Sequence, residues 1–118
     1  MRTIFRAANF SPVSPYVPLA FLPAGIDRDA LRIASTLLEV DGTMRELQNG
    51  TTADMVFPVP EVIARLSQII EFRPGDLIFT GTPSGVGLGR DPQEFLQAGQ
   101  TLTTEIAGVG YLMQRMIA

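Results

Sequence analysis

The chain has 118 residues, of which 46% are hydrophobic, so it is long and apolar enough to build one modest core. Its net charge is −3 and its nine basic residues, all arginine, are spread along the chain, which argues against a nucleic-acid-binding surface. Cysteine, histidine and lysine are absent, which excludes disulfides, imidazole bases, Ser-His-Asp triads and Schiff-base lysines.

Targeting signals are also missing from the sequence. No apolar run reaches the length of a membrane span, and the N-terminus lacks the apolar core of a signal peptide. The absence of cysteine suits a reducing compartment. We therefore expect a cytoplasmic protein without nucleic-acid or membrane partners.

The first secondary-structure signals are irregular. Residues 1–9 show no clear period, and prolines interrupt the apolar segment Val13–Leu22, which predicts irregular chain or an edge strand. A strand-like pattern begins at Leu31. The Asp41-Gly42 pair is a strong hairpin signal and predicts that Ala34–Val40 pairs with Thr43–Leu47.

One substantial helix is predicted, from Pro60 to Glu71. Proline suits the first turn of a helix, where its missing N–H costs nothing. The apolar residues of this segment recur at helical spacing, so we expect one face to pack on a sheet: Val62, Ile63, Leu66, Ile69 and Ile70. Pro74-Gly75 ends the helical region.

A second hairpin is predicted near the end of the chain, with Thr101–Ile106 and Tyr111–Ile117 joined by a glycine-rich turn. No repeat, linker or low-complexity tract interrupts residues 1–118. The sequence therefore predicts a single β-rich α+β domain with one main helix.

The most informative segment is Gly75–Gly87, with the sequence GDLIFTGTPSGVG. Its apolar residues predict a strand, Leu77–Thr80, that leads directly into a turn rich in glycine. A phosphate-binding P-loop would need a Lys-Ser/Thr pair after the last glycine, whereas Leu88 and Gly89 follow here. Taken alone, this segment favours a strand followed by a tight loop.

Several segments occur in a distinctive order around that loop. NGTTADMVF at 49–57 is followed by PEVIARLS at 60–67, the GTPSGVG loop, FLQAGQ at 95–100 and EIAGVGYL at 105–112. From Pro12 to Ile117 the chain resembles the C-terminal half of the fumarylacetoacetate hydrolase family. The resemblance implies a mixed β-sheet roll that is incomplete relative to the family, with residues 1–11 atypical.

The resemblance also implies chemistry. Members of the family hydrolyse C–C bonds, isomerise or decarboxylate small oxo-acids and dicarbonyl compounds, with Mg²⁺ or Mn²⁺ held by two glutamates and an aspartate. A hard cation on oxygen ligands polarises oxo-acid oxygens and stabilises enolate charge. The family's Glu-x-Glu pattern does not occur here. We therefore expect no metal ligand and no complete catalytic set within this chain.

The family also carries a lysine before its proline-rich segment. Aligning that segment with residues 10–15 puts Phe5 near the lysine position with Arg6 beside it, Ala8 in place of an aspartate and Tyr16 in place of a tryptophan. The planar guanidinium of Arg6 differs from a compact ammonium, so an exchange of lysine for arginine is not conservative.

One functional residue does match the family motif. Thr82 corresponds to the threonine whose hydroxyl and backbone amide hold the substrate's carboxylate or oxo oxygen, and the resemblance makes it a substrate contact together with Gly81 and Pro83. Thr80 is interpreted as structural. The simplest interpretation of Thr51, Thr52 and Asp54 is a helix start or an Asx-type turn: all three lie before the predicted helix.

Three interpretations remain open. The chain could be the C-terminal part of a magnesium-dependent enzyme of this family that acts on a small oxo-acid, and the resemblance implies a homo-oligomer, in the form of a homodimer. It could be a catalytically silent β-domain that binds acidic metabolites or serves as a partner subunit. It could also be a small active enzyme with a different constellation, which the residue types favour least.

Overall fold

The computed structural model describes residues 21–117. Their contacts divide into two compact units, one formed by residues 55–81 and a larger one formed by residues 21–54 and 82–117. The predicted Val13–Leu22 segment lies almost wholly outside the described residues. The alignment of Phe5, Arg6, Ala8 and Tyr16 with the family lies wholly outside them. The assignment of residues 1–118 to a single domain stays a prediction.

The larger unit is a four-stranded antiparallel sheet made of two hairpins. Its strands are β1 (Arg32–Leu38), β2 (Met44–Thr51), β3 (Thr101–Ile106) and β4 (Gly110–Arg115). They lie in the order β2-β1-β3-β4, so the first strands of the two hairpins are neighbours. Together with the helix of the smaller unit, this confirms the predicted β-rich α+β class.

The first hairpin closes as the Asp41-Gly42 pair predicts. Gly42 adopts a positive φ of 87°, which glycine accepts without steric cost. The Asp41 carboxylate accepts hydrogen bonds from the Thr43 backbone N–H at 2.9 Å and from its hydroxyl at 2.7 Å. Because both bonds favour the charged form, they lower the pKa of Asp41.

Strand β2 runs to Thr51, four residues beyond the predicted end at Leu47. Ser35 pairs with Gln48 and Thr36 pairs with Glu46, so Leu47 is an extra residue that makes a β-bulge. A bulge breaks the alternation of side chains between the two faces, which is why the pattern of this strand is hard to follow beyond Leu47.

The second hairpin is confirmed. Strand β3 has the predicted bounds, and β4 ends at Arg115 rather than Ile117. In the turn between them Gly108 has a φ of 75°. A side chain there would meet Ile26, whose Cδ1 would lie 2.7 Å from an added Cβ.

The core of the sheet lies on one of its faces. Leu37 and Leu102 are paired on this face, as are Ser35 and Thr104, and only 1% of Leu37 is exposed. The opposite face contains the buried Ala34, but four large side chains on this face remain exposed: Leu38, Met44, Tyr111 and Met113.

The smaller unit contains the helix α1 (Val59–Leu66), which is shorter than the predicted Pro60–Glu71. Residues 67–69 form turns instead of continuing the helix. The Ser67 hydroxyl donates to the carbonyl oxygen of Ala64 at 2.9 Å, a local bond that competes with the helical pattern. The guanidinium of Arg65 stabilises the remaining helix through Glu61, at 2.6 Å, and lies 4.7 Å from the ring centre of Phe57.

The prediction of a strand at Leu77–Thr80 is wrong. Leu77 makes a single β-bridge, and residues 78–80 belong to no ladder among the described residues. An apolar pattern favours extended chain, but a strand also needs a neighbour that supplies its hydrogen bonds, and one segment's sequence does not reveal that neighbour. The expected packing of the helix face on the sheet stays a prediction.

No helix of residues 21–117 has the length and apolar character needed to cross a membrane.

We expect Leu37→Ala to lower the free energy of unfolding by roughly 2–5 kcal/mol, because it removes the most deeply buried side chain and leaves a cavity. Leu38→Ala is the matched control: it makes the same change one residue later in β1, where the side chain is 40% exposed on the other face. Urea unfolding of both variants measures the difference. Equal losses would show that the core does not lie on the Leu37 face.

Candidate functional site

Residues 82–96, here called the 82–96 loop, lie against strand β2. At the start of the loop Thr82 is exposed and Pro83 is half-buried. The Pro83 ring lies close to Gly50 of β2, where an added Cβ would be 3.0 Å from the proline Cβ. The absence of a side chain at Gly50 therefore lets the loop approach the strand closely.

Two glycines of the loop are required by space. Gly85 has a φ of 105°, and a side chain there would overlap the carbonyl oxygen of Leu47. A side chain at Gly87 would overlap the carbonyl oxygen of Glu94 on the far side of the loop. Glycine is needed at both positions because a backbone carbonyl oxygen occupies the space that a side chain would fill.

The guanidinium of Arg90 joins the loop to the sheet. Its Nη2 donates to the carbonyl oxygen of Leu47 at 3.0 Å and its Nε donates to that of Gly85 at 3.1 Å. Its Nη1 donates to the Glu94 carboxylate at 3.0 Å. The fixed fork of an arginine thus holds three acceptors at once, one on β2 and two in the loop.

The same Glu94 carboxylate continues the network to the end of the first hairpin. It pairs with Arg45 of β2, whose Nε donates to Glu39 at 2.9 Å. The buried Gln100 donates to the other Glu39 oxygen at 2.6 Å. Hydrogen bonds from Arg45 lower the pKa of Glu94, and those from Arg45 to Glu94 and Glu39 raise the pKa of Arg45.

A second, uncharged set of contacts holds the start of the loop. The Gln48 amide nitrogen donates to the Thr82 hydroxyl at 2.9 Å and to the carbonyl oxygen of Pro83 at 2.7 Å. The Gln48 carbonyl oxygen lies 3.3 Å from the hydroxyl of the buried Ser35. Sequence reasoning missed Gln48 because the predicted strand stopped one residue before it.

A cavity of about 170 Å³ lies between the loop and the sheet. Its lining combines apolar side chains with the polar groups of both sets of contacts: Ser35, Leu37, Leu47, Gln48, Gly85, Val86, Gly87, Arg90, Glu94, Phe95, Leu96 and Leu102. Such a mixture of apolar walls and a few fixed polar groups is typical of small-molecule sites.

The structure brings Thr82 and Pro83 together on Gln48, whereas Gly81 is exposed at the end of the smaller unit. Thr80 is exposed as well. Thr52 lies in a single 3₁₀ turn, Thr52–Asp54, and its hydroxyl accepts from the Leu31 N–H at 2.8 Å. Within residues 21–117, no three acidic side chains converge in a way that could hold a metal ion.

The profile described as fumarylacetoacetate (FAA) hydrolase C-terminal matches residues 2–117. The chain belongs to the fumarylacetoacetate hydrolase family. A Burkholderia cenocepacia protein named as a candidate hydrolase is 41% identical over 111 residues, which are 91% of this chain and 36% of that protein.

Solved structures of the family share the fold. A candidate HpcE protein of Mycobacterium smegmatis superposes with a TM-score of 0.74 at 43% identity, over 86% of this chain and 35% of that one. The fumarylacetoacetate hydrolase of Exiguobacterium antarcticum gives 0.70 at 30% identity, over 79% of this chain and 32% of that one. This member of the fumarylacetoacetate hydrolase family therefore spans about a third of the length of the relatives it matches.

We expect the 82–96 loop to loosen in acid. Because the folded-state pKa of Glu94 is lowered, its ion pairs stabilise the loop above the ordinary glutamate pKa of about 4.3, and this contribution is lost as the pH falls through the lowered value. Amide hydrogen exchange of Glu94, whose N–H donates to the Gly87 carbonyl oxygen at 3.0 Å, measures the loosening as a fall in the protection factor, which compares the exchange rate with that of an unfolded chain at the same pH, between pH 7 and pH 3.

Glu94→Gln should show a low protection factor for the amide of residue 94 across the whole pH range, since it removes the charge that Arg45 and Arg90 hold. Glu105→Gln is the control, because Glu105 is an exposed residue of β3 away from the loop network. If Glu94→Gln kept the protection seen at pH 7, the charged network would not be what holds the loop.

Proposed function

We propose that this chain is the C-terminal part of a magnesium-dependent enzyme that acts on a small oxo-acid or dicarbonyl compound in the cytoplasm. The observation that supports this best is the exposed Thr82 hydroxyl, held by Gln48 at the edge of a glycine-rich loop in a chain of this family. Hydrolysis of a C–C bond, isomerisation and decarboxylation are the reactions that the family relationship suggests.

The chain's own contribution would be to bind and orient the substrate. An exposed hydroxyl and the adjoining backbone N–H groups are suited to a carboxylate or oxo oxygen. The carboxylates of residues 21–117 do not form a set that fits a divalent ion, so we assign no metal chemistry to them. We infer that the metal is held in the part of the relatives that this chain does not match.

The runner-up is a catalytically silent β-domain that serves as a partner subunit or binds acidic metabolites. It would keep the loop and its network but gain no turnover when the rest of a relative is supplied. The two functions therefore predict different results in one measurement, which is enzymatic turnover once the missing part of a relative has been supplied.

We expect Thr82→Val to lower kcat/KM by roughly ten- to a hundred-fold in a completed protein, in which the preceding two thirds of a Burkholderia relative are supplied as a fusion or a second chain. The change keeps the shape and removes a hydrogen bond to a charged group, worth about 1.5–3 kcal/mol. The measurement is steady-state turnover of an acylpyruvate-type substrate with and without Mg²⁺.

Thr80→Val is the matched control and should cost far less if Thr80 is structural. Equal losses at the two positions, with folding intact, would mean that the wrong threonine has been assigned. No turnover in any completed protein would favour the silent domain.

We also infer a homo-oligomer, in the first instance a homodimer. The sheet face opposite the core exposes four large apolar or aromatic side chains: Leu38, Met44, Tyr111 and Met113. Among residues 21–117, no further strand pairs with the outer edge of β2 or of β4.

The chain alone should therefore self-associate at micromolar to millimolar concentration. Met113→Glu, which places a charge on the edge strand β4 of this face while leaving the core face unchanged, should shift the equilibrium towards monomer. Sedimentation velocity across a concentration series measures the effect. A monomer at every concentration in the unchanged chain would contradict the inference.

A further inference from the structure

Four side chains form a hydrogen-bonded series from the middle of the sheet to the 82–96 loop. The Thr104 and Ser35 hydroxyl oxygens are 3.3 Å apart, and Ser35 lies 3.3 Å from the Gln48 carbonyl oxygen. The Gln48 nitrogen lies 2.9 Å from the Thr82 hydroxyl oxygen. The series thus starts on β3, crosses β1 and β2 and ends at an exposed hydroxyl.

The orientation of the Gln48 amide is fixed by Pro83. A backbone carbonyl oxygen only accepts hydrogen bonds, and that of Pro83 lies 2.7 Å from one end of the amide. That end must therefore be the NH₂ group. It follows that the Gln48 oxygen faces Ser35 and that an N–H group faces the Thr82 hydroxyl oxygen.

This orientation sets the direction of every other bond in the series. The Gln48 oxygen has no hydrogen, so the Ser35 hydroxyl donates to it. Ser35 has then used its only hydrogen, and the Thr104 hydroxyl must donate to the Ser35 oxygen. All three bonds of the series are thereby oriented in one sense, from Thr104 towards Gln48 and on to Thr82.

Among residues 21–117, the hydroxyl hydrogen of Thr82, the last member of the series, has no acceptor. The Thr82 oxygen accepts from Gln48, so its own O–H cannot point at Gln48 and is directed elsewhere, and the side chain is exposed. We propose that Gln48 is a positioning residue, oriented by Ser35 and Thr104, that makes the Thr82 hydroxyl a donor to a bound acceptor oxygen. This rests on the proposed function in taking Thr82 as the substrate contact.

The direction of the series has a consequence for ligand choice. A hydroxyl whose hydrogen is available to donate favours a carboxylate, an enolate or an oxo oxygen over a ligand that offers only N–H donors. When a charged oxygen accepts from Thr82, the Thr82 oxygen becomes a stronger acceptor for Gln48, because consecutive hydrogen bonds polarise one another. Gln48 should therefore sense a ligand that it does not touch.

The test uses the 118-residue chain itself and pyruvate as the probe. In nuclear magnetic resonance spectra, we expect pyruvate to shift the Thr82 signals and also to move the Gln48 side-chain N–H signal downfield. Gln48→Met keeps the length and neutrality of the side chain but removes both donors, and it should weaken pyruvate binding by roughly tenfold or more. Gln114→Met is the control, because it makes the same change on β4 of the same sheet.

Ser35→Ala keeps Gln48 but removes the donor that orients it, and it should weaken binding less than Gln48→Met while abolishing the ligand-induced shift of the Gln48 signal. This variant also serves if Gln48→Met fails to fold. The proposal is overturned if pyruvate shifts Thr82 but leaves the Gln48 signal unmoved, if Gln48→Met and Gln114→Met bind pyruvate equally well, or if pyruvate leaves Thr82 unmoved. Failure of the proposed function would appear separately, as binding without turnover in the completed protein.

Discussion

The structure of the site depends on the position of one guanidinium group. Arg90 donates to the Leu47 carbonyl oxygen of β2 and to Gly85 and Glu94 of the 82–96 loop, so the loop and the strand share one rigid fork of donors. The Leu47 carbonyl is available because the bulge places this extra residue outside the regular pairing of β1 and β2. The irregularity of β2 and the attachment of the loop are therefore parts of one feature.

The two ends of the loop are held by different kinds of interaction. Charged groups hold the later part, where Glu94 lies between two arginines. Neutral donors and acceptors hold the start, where Gln48 contacts Thr82 and Pro83. The neutral amide of Gln48 thus fixes the Thr82 hydroxyl without placing a charge beside it.

The fold was predictable from sequence where the signal was local. The Asp41-Gly42 turn, both hairpins and the presence of one helix follow from turn chemistry and side-chain period. Two predicted elements are absent from the structure. Leu77–Thr80 forms no strand, because a strand also needs a pairing neighbour, and the helix ends at Leu66, where the bond from Ser67 to Ala64 competes with the helical pattern. Thr82 is proposed as a substrate contact from a motif, and it stays a prediction. Gln48 was missed because a bulge, which leaves no simple sequence pattern, hides its place on the core face.

The charges of the larger unit also limit what chemistry this chain can perform. Without histidine or lysine, a proton acceptor near the cavity would have to be a carboxylate, and Glu94 lines that cavity. Its pKa is lowered by Arg45, which makes it a weaker base than an ordinary glutamate. Arg45 and Arg90 are in turn occupied by carboxylates and backbone oxygens. The ionic groups are thus committed to holding the loop, whereas the hydroxyl of Thr82 at the start of the loop is exposed.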